Sequence, residues 1–133
     1  MASGEQPQVV KIAISPVPIA APLCRRLVTD ALHRWDLDDL IDDAQVIATE
    51  LVTNAIATNA PADSDVTLWL RRDRGSLVIE VDDQAEAIPV LPQAAFSVEY
   101  GRALSVVASL STFWGLREGA GGKVMWAELP AAT

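Results

Sequence analysis

The stretch "ATELVTNAIATNA", Ala48–Ala60, decides how this chain is read. Leu40, Ala44, Ile47, Ala48, Leu51 and Ala55 recur at helical spacing and predict a helix from about Leu40 to Asn59 with one buried stripe. Glu50 and Asn54 are four residues apart, so they sit about 40° apart around that helix and share a stripe beside the apolar one, with Asp43 near it. A polar pair in that place has two readings. It either borders solvent or projects a carboxylate and an amide into a cleft beneath an overhanging element. A carboxylate can accept a proton or orient water. An amide oxygen is a hard ligand that suits Mg²⁺. The second reading is therefore equipment for a magnesium-bound nucleotide.

Working outward, "VVKIAIS" (Val9–Ser15) reads as a strand rich in β-branched residues. Ala20, Leu23, Cys24, Leu27, Ala31 and Trp35 predict a first helix from about Ile19 to Trp35. "DLDD" (Asp36–Asp39) breaks it and supplies acidic residues for the next helix start. After "APADS" come "DVTLWLRR" and "SLVIEVDD", two alternating strands joined by a glycine turn, with Leu77, Ile79 and Val81 on one face. Gln84 to Tyr100 is a long connection, of a length that is often functional. "GRALSVVASLSTFWG" (Gly101–Gly115) predicts a third helix, "REGAGG" a turn and "KVMWAELP" a closing strand. The expected order is β-α-α-β-β-loop-α-β, as one domain over 9–133 behind a flexible tail at 1–8.

Composition narrows the function. A chain of 133 residues that is 50% hydrophobic can bury a core. Its net charge of -8 argues against wrapping nucleic acid but permits a partner with a basic face, or a nucleotide whose charge is met by a metal. One cysteine, Cys24, and one histidine, His33, exclude an internal disulfide and a Cys/His zinc site. No run of about 18 apolar residues spans a membrane, and the N-terminus has no signal pattern. The expected location is the cytoplasm.

"ELVTNA" (Glu50–Ala55) resembles the N-box of the GHKL ATPase/kinase superfamily. The nearest branch is the bacterial anti-sigma-factor serine kinases, the RsbW-like branch. "RRLVTDALHRWDLDDLIDDAQVIATELVTNA", "LVIEVDD", "EYGRAL" and "GGKVMWAELP" are similar to that branch's helices, adenine strand, glycine segment and last strand, in the same order. The resemblance implies a two-layer α/β sandwich, with a mixed, mostly antiparallel sheet and helices on one face. It implies that Asn54 ligates Mg²⁺ and that Glu50 is the general base of protein serine/threonine phosphoryl transfer. Asp83 would accept the adenine amino group, and it shares parity with Leu77, Ile79 and Val81 as Asp82 does not. Gly101, followed by Arg102, would let backbone approach phosphate at the third helix's N-terminus, where free N–H groups favour an anion. Residues 84–100 would form the ATP lid. Partners would be a sigma factor or an anti-anti-sigma-like regulator, with homodimers common.

The chain departs from the family at several positions. "QAEA" with Glu86 replaces the expected turn after the aspartate. Ala103 stands where a second glycine is usual, and its Cβ would crowd a backbone that must hug phosphate. Val124 stands where the family has an adenine-binding threonine, and Thr58 where it has a histidine. These departures define an alternative: a degenerate interaction module that has lost ATP. A histidine-kinase catalytic domain is a weaker match, since no phosphoacceptor domain is evident. Parity puts Trp69 on the outer sheet face, while the face of Trp126 is left open. Trp114 lies within the expected third helix. Arg71, Arg72 and Arg74 read as a solvated turn, and Arg25 and Arg26 as a contact for an acidic partner.

Overall fold

The computed structural model describes residues 8–58, 65–82, 98–118 and 123–131, less the side chains of residues 58, 98–103 and 118. In chain order the elements are β1 (Gln8–Ile14), α1 (Ala20–Arg34), a 3-10 turn (Asp38–Leu40), α2 (Ile41–Thr58), β2 (Val66–Asp73), β3 (Ser76–Asp82), α3 (Val98–Leu110), β4 (Phe113–Glu118) and β5 (Lys123–Pro130). Gln8, expected to end the tail, already belongs to β1.

The strands form one sheet in the order β1-β2-β3-β5-β4. Every pairing is antiparallel, so the parallel pair anticipated in a mixed sheet is absent among the described residues. The third helix and the strand after it correct the sequence reading. Helix α3 begins three residues earlier than expected, at Val98, and stops at Leu110. "FWGLRE", whose "FWG" is expected to end that helix and whose "RE" to open the following turn, is strand β4, paired with β5 from Phe113↔Glu128 to Glu118↔Lys123. Its short apolar run fits either period, and pairing with β5 settles it.

Alternation along each strand sorts the side chains into two faces. On the inner face, Ile12, Leu68, Val81, Met125 and Leu116 form one cross-sheet row, and Val10, Leu70, Ile79, Ala127 and Trp114 the next. Helix α2 covers this face and is flanked by α1 and α3. Ala44, Ile47, Ala48, Leu51, Val52 and Ala55 of α2 are buried in one core with Cys24, Val28, Ala31 and Leu32 of α1 and Val107 of α3. Burying a Leu, Ile or Val side chain contributes about 1.5–3 kcal/mol, so this layer is the main source of stability.

The outer face carries Lys11, Trp69, Glu80, Trp126 and Gly115 in one row. Trp126 thus joins Trp69 there. A Cβ at Gly115 would lie 2.9 Å from the Trp126 ring, so the indole lies over a position only glycine can hold without a shift. The Lys11 ammonium stands 4.8 Å from the Trp69 ring centroid, a cation–π contact. Glu80 is only 4% exposed although none of the described helices covers this face. Arg71 and Arg117 flank it, each donating to one carboxylate oxygen. A buried carboxylate needs such partners. Arg72 donates to the Trp35 carbonyl at 2.6 Å, tying the end of α1 to β2. Two of the three arginines read as a solvated turn are therefore structural ties, and Arg74 is the exposed one, in the turn with φ 52°.

Helix α1 ends in a Schellman arrangement. The Leu37 N–H donates to the Leu32 carbonyl at 2.8 Å, the Asp36 N–H donates to that of His33 at 3.2 Å, and Leu37 is buried. Asp36 holds the left-handed position with φ 57°, where glycine is unstrained. Asp36→Gly should remove a strain of about 1 kcal/mol, partly offset by greater freedom of the unfolded chain. Thermal unfolding followed by circular dichroism should show the midpoint rising by about 2–5 °C.

Candidate functional site

The stripe that carries Glu50 and Asn54 faces the edge of the core. Ile47, Leu51, Val52 and Ala55 are buried against the sheet, and this sets the rotation of α2. Asn54 then points inward at 8% exposed, while Glu50, one turn earlier, is half-buried. The Asn54 amide Nδ2 donates to the Met125 sulfur at 3.3 Å, joining α2 to the inner face of β5. Thr53, between the two, turns its hydroxyl back onto the Thr49 carbonyl at 2.8 Å. Neither Glu50 nor Asn54 stands in bulk solvent.

The end of β3 and the start of β5 lie side by side, with Asp82 opposite Val124 in register. The register runs unbroken, so Lys123, Met125, Ala127 and Leu129 face the helices and Val124 faces away. Val124 therefore lies on the outer side of β5, as the inward set Met125, Ala127 and Leu129 requires. The inward residue at that end is Lys123, 4% exposed. Asp82 is half-buried on the outer side, in one row with Thr67 and Val124. Asp83, Glu86 and the rest of 83–97 lie outside the described residues. Gly101 and Arg102 belong to α3 as its fourth and fifth residues rather than opening it, and the side chains of 101–103 lie outside the description.

Among the described residues no three His, Cys, Asp or Glu side chains cluster to hold a metal. That suits Mg²⁺ bound with a nucleotide, which takes one or two protein ligands and fills the rest from phosphate and water. The donor set fits: a carboxamide at an inward-facing position and a carboxylate on the preceding turn. Sequence reasoning missed Met125 as the partner of Asn54. Counting back by twos from the inward Leu129 would have found it.

A family model for the histidine kinase-like ATPase domain matches residues 14–128. The chain belongs to that family. Among solved structures, part of the crystal structure of the RsbU and RsbW domains of Rv1364c from Mycobacterium tuberculosis shares its fold, with a TM-score of 0.69 at 17% identity. The match covers 92% of this chain and 31% of that one, so the chain spans about a third of that structure's length. No curated protein matches the chain. Glu50 and Asn54 thus lie in a histidine kinase-like ATPase domain, a nucleotide-binding type of domain, with an RsbW-like fold. No helix among the described residues is long and apolar enough to cross a membrane.

Cys24 of α1 is fully buried in the core that α1 shares with α2. Burial pushes its thiol up to about 11, and the Thr49 hydroxyl and Arg25 only partly oppose this. A thiol so held is protonated and unreactive at neutral pH. At pH 8 the native protein should resist an excess of a thiol-reactive disulfide for hours and react within minutes in denaturant. Mass spectrometry of the labelled fraction is the check, and fast native labelling would contradict the burial.

Proposed function

We propose that this domain is a regulatory protein of the anti-sigma serine-kinase type, binding Mg-ATP at the Glu50–Asn54 stripe and a protein partner elsewhere. The observation that supports it best is Asn54. A polar side chain is kept 92% out of water on the inner face of a histidine kinase-like ATPase fold, one turn from a half-buried carboxylate. Burying an amide costs free energy unless it is satisfied, and most core positions avoid it. Its retention here fits a ligand-binding role.

In this reading the Asn54 carboxamide oxygen holds Mg²⁺, and the Glu50 carboxylate accepts the proton of an acceptor hydroxyl. Gly101, Arg102 and Asp83 complete the nucleotide contacts as the family pattern implies. When bound, ATP would supply the phosphoryl group. The partner side is supported by α1. Ile19 is 63% exposed and Leu23 38%, in line with Arg26 at i, i+4 and i+7, and Arg25 lies beside them. Exposed apolar side chains next to a basic pair, on a chain of net charge -8, suit a partner that presents apolar and acidic residues together, such as a sigma factor or its regulator. Self-association and a cytoplasmic location belong to the same reading.

The rival reading, a fold kept only for protein contacts, draws on one observation. The Asn54 amide is already engaged by Met125 within the protein. Calorimetric titration separates the two. Saturable heat with ATP that weakens about tenfold or more without Mg²⁺ is expected for the nucleotide reading. Asn54→Ala should lose that Mg²⁺ dependence, and Glu50→Gln should bind as the parent does while transferring no phosphoryl group to a protein hydroxyl. A flat titration of the folded parent at millimolar ATP would leave only the interaction module.

A further inference from the structure

Among the described residues the sheet has two edge strands, β1 and β4. An edge strand presents unpaired N–H and C=O groups along one side, and these can template a further strand. Strand β1 carries a common protection, the lysine Lys11. Strand β4, Phe113–Glu118, has neither lysine nor proline. It runs without a bulge from Phe113↔Glu128 to Glu118↔Lys123. Its Arg117 guanidinium is drawn across β5 to Glu80, away from the free side. Its large apolar side chains are open on both faces: Phe113 is 59% exposed on the outer face and Trp114 41% on the inner.

We propose that the free edge of β4 is an interaction surface that pairs antiparallel with β4 of a second copy, joining two sheets into one. The inference gives a surface to the self-association included in the proposed reading, and it does not require nucleotide. Its support is the self-complementarity of the strand. A two-fold axis that joins two antiparallel edges stands normal to the sheet and keeps inner and outer faces distinct. Opposite residues must then share parity, so the axis passes through a residue rather than between two. Centred on Gly115, the strand sets Trp114 against Leu116 of the second copy on the inner face and Phe113 against its Arg117 on the outer face. Trp114 thus meets an apolar partner, and Phe113 meets the aliphatic stem of an arginine whose charge is engaged elsewhere. Arg117 does not face itself. Gly115 meets its own counterpart with no side chain between. Centring on Leu116 instead would set Gly115 against Arg117 and carry Phe113 beyond the end of the opposing strand. A strand from an unrelated protein would need no such symmetry, and this favours a second copy as the occupant. One six-residue strand buries less than a standard interface, so the dimer is expected to be reversible.

Sedimentation velocity over a concentration series, without nucleotide, is the test. The parent should shift from the monomer toward the dimer coefficient as concentration rises, and its β4 amides should gain hydrogen-exchange protection in parallel. Phe113→Lys and Trp114→Lys should each weaken association by about tenfold or more. Both positions are exposed, and circular dichroism confirms that each variant is folded; Phe113→Gln and Trp114→Gln replace any that is not. Val9→Lys, at an exposed position on the opposite edge, should associate as the parent does. Dimers that persist in the folded β4 variants, or that Val9→Lys disrupts equally, would leave self-association standing and overturn this surface. A parent that stays monomeric throughout would overturn both, while the nucleotide reading would still stand on its own titration.

Discussion

Helix α2 lies on the sheet through a face that mixes small and branched residues. Ala44, Ala48 and Ala55 end at Cβ and let the helix backbone approach the strands, while Ile47, Leu51 and Val52 fill the space between. Interiors pack at crystal-like density, so this interface permits little rotation of the helix. Its rotation is what aims Asn54 at Met125 and leaves Glu50 at the cleft margin. A shift of 40° would place Asn54 either in solvent or wholly within the core. The hydrophobic interface and the candidate site are consequences of one packing arrangement.

The two faces of the sheet meet different demands. The inner face is apolar except at its ends, where Arg72 ties β2 to α1 and Lys123 is buried at the start of β5. Among the described residues the outer face has no helix over it, and its own side chains shield it. Trp69, Trp126 and the Arg71–Glu80–Arg117 cluster bridge neighbouring strands. Glu80 links β3 to β2 through Arg71 and to β4, across β5, through Arg117. Removing one arginine would leave a carboxylate that is 4% exposed with half its partners, and such a loss costs more than the intact pair contributes.

The departures from the family pattern take on a different weight once register is known. Val124 looked like a lost adenine contact, yet it stands on the outer side of β5, and the inward residue carries a positive charge.

Much of the architecture was legible from periodicity. The start of helix α2 was placed to within a residue because its apolar stripe is long, and those of β2 and β3 because Val66, Leu68 and Leu70 and then Leu77, Ile79 and Val81 alternate cleanly. The Glu50–Asn54 pair followed from helical spacing alone. Strand β4 was not legible. "FWGLRE" is too short for its period to speak, and only hydrogen bonding to β5, remote from helix α3, makes it a strand. The inward places of Lys123 and Met125, and the engagement of Arg71 and Arg72, were likewise decided by strand partners. Local sequence determines what a segment prefers and which residues share a stripe. Which face of β5 looks at Asn54 depends on pairing between β3 and β5, and that is fixed only when the whole sheet buries its apolar side against α2.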